Sequence, residues 1–203
     1  MIKIHNFARG ARGVRVFWVC EEMGLPYQVE TVAFPPNDAY CAKHSLGSVP
    51  FLEDDGGVAV HESVAMMLYL THKYGPTPLL PGNDDPTLAR VLQMTVFGET
   101  TIGAGINPLL GAHFVAPESE KRNWSVQWQE ARVEQALRYV VEMLGDRPFL
   151  AGNELTLADI SVSCALGIWN GALGKPLAAE LLTYRERLAA RPAYQRAQKA
   201  QQG

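Results

Sequence analysis

Across residues 1–74 the spacing of apolar side chains switches between a period of two and a period near 3.6, so strands and helices are predicted in turn. Ile2 and Ile4, with Lys3 and His5 between them, make a short strand. After a loop rich in glycine and arginine, Val14, Val16, Phe17, Val19, Cys20 and Met23 recur at helical spacing. Gly24 follows, where a helix C-terminus favours glycine. Tyr27 to Val32 reads as a second strand, and Phe34-Pro35-Pro36-Asn37-Asp38 as a turn-rich loop leading to a short helical patch from Ala39 to His44. Pro50 to His61 holds two strands around the tight turn Asp54-Asp55-Gly56-Gly57. A helix then runs from Ser63 to Tyr74, with Val64, Met67, Leu68 and Leu70 apolar. The order β-α-β-α-β-β-α is satisfied by one mixed four-stranded sheet with helices packed on it.

Gly75 to Pro86 carries four prolines, which neither a helix interior nor a central strand tolerates, so it reads as a linker. Beyond it no alternating segment stands out. Leu88–Gly98, Ser119–Leu144, Leu157–Gly167 and Leu177–Ala190 have helical spacing. The expected organisation is an α/β domain over 1–80, a proline-rich linker over 75–86 and an all-helical domain over 87–203. Thr156 with Asp159 makes a capping box, and Leu155 with Ile160 a hydrophobic staple, at the entry to one of these helices. Gly98, Gly103 and Gly105 lie in a stretch where glycine lowers helix stability, which implies close packing or a bend.

The bulk numbers narrow the function classes. The chain has 203 residues, 47% of them apolar and 19% charged, with a net charge of −3. It has no basic stripe of the kind nucleic acid would need. No run reaches the roughly 18 apolar residues that cross a bilayer, and Met1-Ile2-Lys3-Ile4 does not resemble a secretion signal. Cys20, Cys41 and Cys164 are scattered and form no paired motif, which fits a reducing compartment. The five histidines, His5, His44, His61, His72 and His113, lack metal-ligand spacing. A cytoplasmic protein without metal, membrane or nucleic-acid partner is expected.

Chemistry concentrates between Ser48 and Ser63. Pro50 opens a strand where no ladder N–H is needed. Glu62-Ser63 stands at a helix start, whose free N–H groups attract an anion. This run resembles the glutathione-binding half of the glutathione S-transferase family, in which a cis-proline follows a short loop and an acidic-serine pair holds the tripeptide. The capping element after Phe149-Leu150-Ala151-Gly152 likewise resembles that of the family's helical domain. The resemblance covers essentially the whole chain. It implies a thioredoxin-like N-terminal domain, a helical-bundle C-terminal domain, glutathione as co-substrate and a small hydrophobic electrophile as acceptor. It also implies a twofold homodimer.

Under that resemblance Ser63 and its helix N-terminus receive the γ-glutamyl carboxylate, Glu62 balances charge, and a cis Val49–Pro50 bond presents backbone to the cysteinyl unit. Ser48 stands where the family often has a longer side chain touching the ligand, so Lys43 or His44 is a substitute, and Arg9 a further binding candidate. The family also places a Tyr, Ser or Cys after the first strand to stabilise the thiolate, since a cysteine thiol ordinarily titrates near 8.5. The loop Phe7-Ala8-Arg9-Gly10-Ala11-Arg12-Gly13-Val14-Arg15 has none. Arg12, or the backbone N–H groups from Ala11 to Gly13, is the expected replacement, with Asn6 and Arg9 secondary. The alternative is solvated arginines paired with Glu21, Glu22 or a partner subunit. Phe7, Phe97, Thr101, Phe114 and Trp169 are candidates for an acceptor pocket, against the alternative that they are core. The competing functions are a non-catalytic regulatory protein, a glutathione-dependent isomerase, and a disulfide reductase that uses two glutathiones.

Overall fold

The computed structural model describes residues 1–8 and 12–201, which form two compact units, 1–77 with 189–203 and 78–188. The predicted sheet is present in the first. Strand β1 (Ile2–Phe7) lies parallel to β2 (Tyr27–Val32) and antiparallel to β3 (Phe51–Asp54), which pairs with β4 (Val58–His61), in the order β2-β1-β3-β4. Helix α1 (Gly13–Met23) packs on β1 and on α3 (Ser63–Lys73). Gly24 ends α1 at φ 64°, the left-handed geometry that glycine adopts without penalty. The buried face of α3 is Met66, Met67, Leu70 and Thr71, while the apolar Val64 and Leu68 are half-buried. Ile4, Val16, Phe17, Leu52, Met66 and Met67 are fully excluded from solvent, each contributing about 1.5–3 kcal/mol. Helix α2 (Asp38–Lys43) starts on Asn37, whose side chain accepts from the Tyr40 amide at 2.9 Å.

In the second unit α4 (Leu88–Phe97) continues through a π-helical turn, Gly98–Gly103, into α5 (Ala104–Phe114). The pattern predicted only the first of these pieces. Glycines and Pro108 masked the rest, although the π turn shifts the bond register just ahead of the proline. A Cβ on Gly98 would lie 2.5 Å from Ser161 Oγ and one on Gly105 2.9 Å from Val133, so both glycines permit close helix approach, as expected. Helix α6 (Trp124–Leu144) starts five residues later than its periodicity suggests, at the Asn123 cap. Helix α7 (Leu157–Gly167) is buried on nearly all sides, a second π turn (Ile168–Ala172) follows it, and α8 (Ala179–Ala189) comes next.

Helix α9 (Pro192–Gln201), which polar spacing had hidden, belongs to the first unit. It packs on α1, with Trp18 edge-on to Tyr194 and Arg191 bidentate to Glu22 at 2.7 and 2.8 Å. Among the described residues no helix is long and apolar enough to cross a membrane.

Candidate functional site

The β1–β3 ladder ends at Phe51, immediately after Pro50, and the Val49–Pro50 peptide bond is cis. Val49 therefore lies just beyond the paired strand edge, half-buried, where the chain has left the sheet. Beneath it Val32, Tyr40 and Phe51 make a small buried cluster, against which Val49 and Phe7 pack. The loop before Val49 is held from below. Tyr40 donates its hydroxyl to the Ser48 carbonyl at 2.6 Å, and His44 Nε2 lies 2.9 Å from Ser48 Oγ. His44 is itself buried, stacked on Phe51 at 5.0 Å and on His61 at 5.2 Å. Burial, helped by the neighbouring His61, pulls its pKa below the usual histidine value.

β4 delivers the chain to α3 through Glu62, the single non-glycine residue with positive φ among those described, at φ 71° and ψ 110°. Its carbonyl accepts the first helix bond from the Met66 amide at 3.0 Å, while its carboxylate stands exposed, 3.7 Å from His61 Nδ1. Ser63 is the first helical residue and is buried, and its hydroxyl accepts a 3.1 Å bond from Arg15 Nη1. Arg15, on α1, is fully excluded from solvent. An oxygen that already accepts from a guanidinium keeps its own proton to give, and here it sits beside the orphan N–H groups of a helix start. Such a place suits a carboxylate.

The Asn6 side chain is buried where β1 ends, its Nδ2 donating to the Phe7 carbonyl at 2.9 Å. Its Oδ1 has no hydrogen-bond partner among the described residues and faces Gly13, where a Cβ would fall 2.4 Å from it. Only glycine lets the start of α1 come this close. Arg12, half-buried, immediately precedes that helix. Arg9 and Ala11 lie outside the described residues.

The expected acceptor residues are scattered. Phe97 and Thr101 line one groove in the helical unit, Phe114 is 66% exposed at the end of α5, and Trp169 is core, donating its Nε1–H to the Pro176 carbonyl. Phe7 meets Phe34 edge-on at 5.3 Å in the other unit. Lys43, the substitute ligand for the glycine end, lies 3.6 Å from Glu53. Arg15 and the His44 stack were not foreseen. Arg15 had one legible signal, a charge embedded in the apolar run Val14, Val16, Phe17.

Residues 12–73 match the glutathione S-transferase N-terminal domain and residues 85–196 the C-terminal domain. The chain belongs to the glutathione S-transferase family. Glutathione S-transferase theta-2 from Homo sapiens is 31% identical over 164 residues, 74% of this chain and 63% of that protein. The chain thus spans just under two thirds of that relative's length. Maleylacetoacetate isomerase from Pseudomonas aeruginosa is 28% identical over 176 residues, 78% of this chain and 77% of that one. A glutathione transferase structure from Methylococcus capsulatus superposes with a TM-score of 0.83 at 28% identity, covering 99% of this chain and 98% of that one. Within this family fold, a thioredoxin-like unit with a helical unit, the cis-proline and the Glu62–Ser63 turn occupy one end of the sheet.

Proposed function

We propose that this protein binds reduced glutathione on its thioredoxin-like unit and transfers the thiolate to small hydrophobic electrophiles. The observation that carries the reading is Ser63, buried at the start of α3 with its oxygen accepting from the buried Arg15. The γ-glutamyl carboxylate would take the Ser63 hydroxyl proton and the first N–H groups of α3, with the Arg15 charge behind them. The backbone of Val49 would pair with the cysteinyl unit as an added strand. Glu62 would meet the ligand's ammonium, and Ser48 and Lys43 its glycine end, with Arg9 a further contact.

The thiol would lie toward the start of α1. There Arg12 and the first N–H groups of α1, with the Ala11 N–H that the sequence also offers, would favour the thiolate over the thiol, and Asn6 holds the strand end against Gly13. The sulfur attacks the acceptor carbon, the leaving group departs with the bonding pair, and the thiol proton goes to solvent. Within the thioredoxin-like unit Phe7, half-buried against the Val32, Tyr40 and Phe51 cluster, is the acceptor-side candidate. A twofold homodimer in the cytoplasm completes the proposal.

Calorimetric titration of reduced glutathione into wild type and Ser63→Ala tests it. Binding that weakens about tenfold in the variant, the loss of one charge-assisted bond, supports the grip. Absence of binding in wild type removes the transferase reading. In Arg12→Ala, a bound-thiol pKa that stays unchanged would discharge Arg12 from its role. The isomerase alternative is favoured by the 28% identical maleylacetoacetate isomerase. It would appear as turnover without loss of free thiol.

A further inference from the structure

Two side chains one helical turn apart hold Ser48. Tyr40 donates its hydroxyl to the Ser48 carbonyl at 2.6 Å, and His44, which ends α2, places Nε2 2.9 Å from Ser48 Oγ. The Gly47 amide donates to the His44 carbonyl at 2.8 Å, so residues 44–48 form a closed loop. Its last member leads directly into the cis Val49–Pro50 bond, and Phe51 is already paired in the sheet. A chain gripped at Ser48 and again at Phe51 leaves Val49 little freedom to turn. The direction of the Val49 backbone therefore depends on the hold that His44 and Tyr40 keep on Ser48.

The His44 ring sits in a slot. It is 7% exposed, lies within 4° of parallel to Phe51 at 5.0 Å, stacks on His61 of β4 at 5.2 Å and meets Tyr40 edge-on at 6.3 Å. A neutral imidazole fits there, whereas an imidazolium would lose its hydration without a counter-charge. Burial and the neighbouring His61 both weigh against the charged form. The adjoining elements do not offset this. Glu53 on β3 is taken up by His5 of β1 at 2.5 Å and Lys43 at 3.6 Å, and the Glu62 carboxylate lies 3.7 Å from His61. The last turn of α2 contributes Tyr40, Cys41 and Lys43, none of them a carboxylate. His44 makes no ion pair among the described residues. The ring takes a proton by leaving the slot for water, and leaving it breaks the bond to Ser48.

We propose that His44 is a positioning residue for the glutathione-binding loop: its neutral ring, seated against Phe51 and His61, holds Ser48 and with it the Val49 backbone, and a proton on the ring releases both. The effect on affinity rests on the glutathione reading, but the loop can be followed without ligand. A histidine in water takes its proton near 6.5, so the held loop loses its advantage as pH falls below about that value. In nuclear magnetic resonance spectra of the unliganded full chain, the ring contacts of His44 with Phe51 should disappear as His44 titrates. The Ser48 and Val49 amide signals should move with the same midpoint, and that movement should vanish in His44→Gln. Calorimetric titration of reduced glutathione into wild type should show affinity falling about three- to tenfold between about pH 7.5 and about pH 5.5. Glutamine keeps a hydrogen-bonding group but takes no proton in this range, so His44→Gln should bind more weakly at the higher pH and lose no more at the lower. Absence of binding in wild type would remove the glutathione reading and leave the spectra to decide the role of His44. His44 gaining its proton with the Phe51 contacts intact, or a pH slope of affinity that survives in His44→Gln, would overturn the proposal.

Discussion

Glu62 holds φ 71° and ψ 110°, a conformation that a residue with a side chain occupies at a cost of about 1–3 kcal/mol. Glycine would be relaxed there, although it adds freedom to the unfolded chain. Glu62→Gly is therefore expected to raise the stability of the unliganded protein by about 1 kcal/mol in denaturant titration and to weaken glutathione binding. An unchanged midpoint would mean that the turn is unstrained. Asp54 makes a different statement. Its buried carboxylate accepts from Lys73 at 2.8 Å, Tyr74 at 2.7 Å and Tyr69 at 2.9 Å, and from the Asp55 amide. Burial opposes the charge, but these bonds outweigh it and hold the carboxyl well below the usual range. A carboxyl depressed in the folded state stabilises it above the ordinary pKa near 3.9 and loses that contribution as pH falls below it. Melting curves of wild type should drop steeply from about pH 4 downward, and Asp54→Asn should be less stable at neutral pH with a shallower acid slope.

At the level of elements, entry into α7 is fixed by one carboxylate. Asp159, with no exposure to solvent, accepts from the Leu150 and Thr156 amides, the Thr156 hydroxyl and the Tyr184 hydroxyl at 2.8–3.0 Å. It thereby ties a turn, a helix start and α8 together. Asp159→Ala leaves four buried donors unsatisfied and should cost about 3–5 kcal/mol, against about 1 kcal/mol for Thr156→Ala. Because they share bonds, the double variant should lose less than the sum in chemical denaturation. Additive losses would show that the box and the Tyr184 bond act separately. The capping box was legible from Thr156 and Asp159 alone, because its partners are three residues apart. Tyr184, twenty-five residues on, left no mark in the sequence.

On the scale of the whole chain, the last helix returns to the first unit. Trp18, fully buried, is covered by Tyr194 at a ring separation of 4.7 Å, and the Arg191–Glu22 and Arg196–Glu21 pairs flank it. Glu22 is partly desolvated, yet the Arg191 and Trp18 hydrogen bonds keep its pKa below the ordinary value. A double-mutant cycle on Glu22 and Arg191 should give about 1 kcal/mol at most, since Arg191 is about a third exposed. Ending the chain at Leu188 should cost more, by uncovering Trp18, and its tryptophan emission should shift to the red. An emission maximum that stays in place would mean that α9 contributes little cover.

What the sequence determined by itself is what depends on neighbours along the chain. The strand and helix periods of the first unit, the Asp-Gly turn, the glycine stop at Gly24, the capping box and the Pro50–Ser63 run all rest on contacts within a few residues. A mixed four-stranded sheet followed from connection lengths, whereas its order β2-β1-β3-β4 came only with the structure. The tertiary structure alone decided the Arg15–Ser63 bond across 48 residues, the backbone of Glu62, the close approach of Gly13 to Asn6 and the return of α9 to α1. The Arg15–Ser63 bond and the α9–α1 contact join segments far apart in sequence. The Glu62 backbone and the Gly13–Asn6 approach depend on how adjoining elements pack, so all four are fixed only when the core is packed.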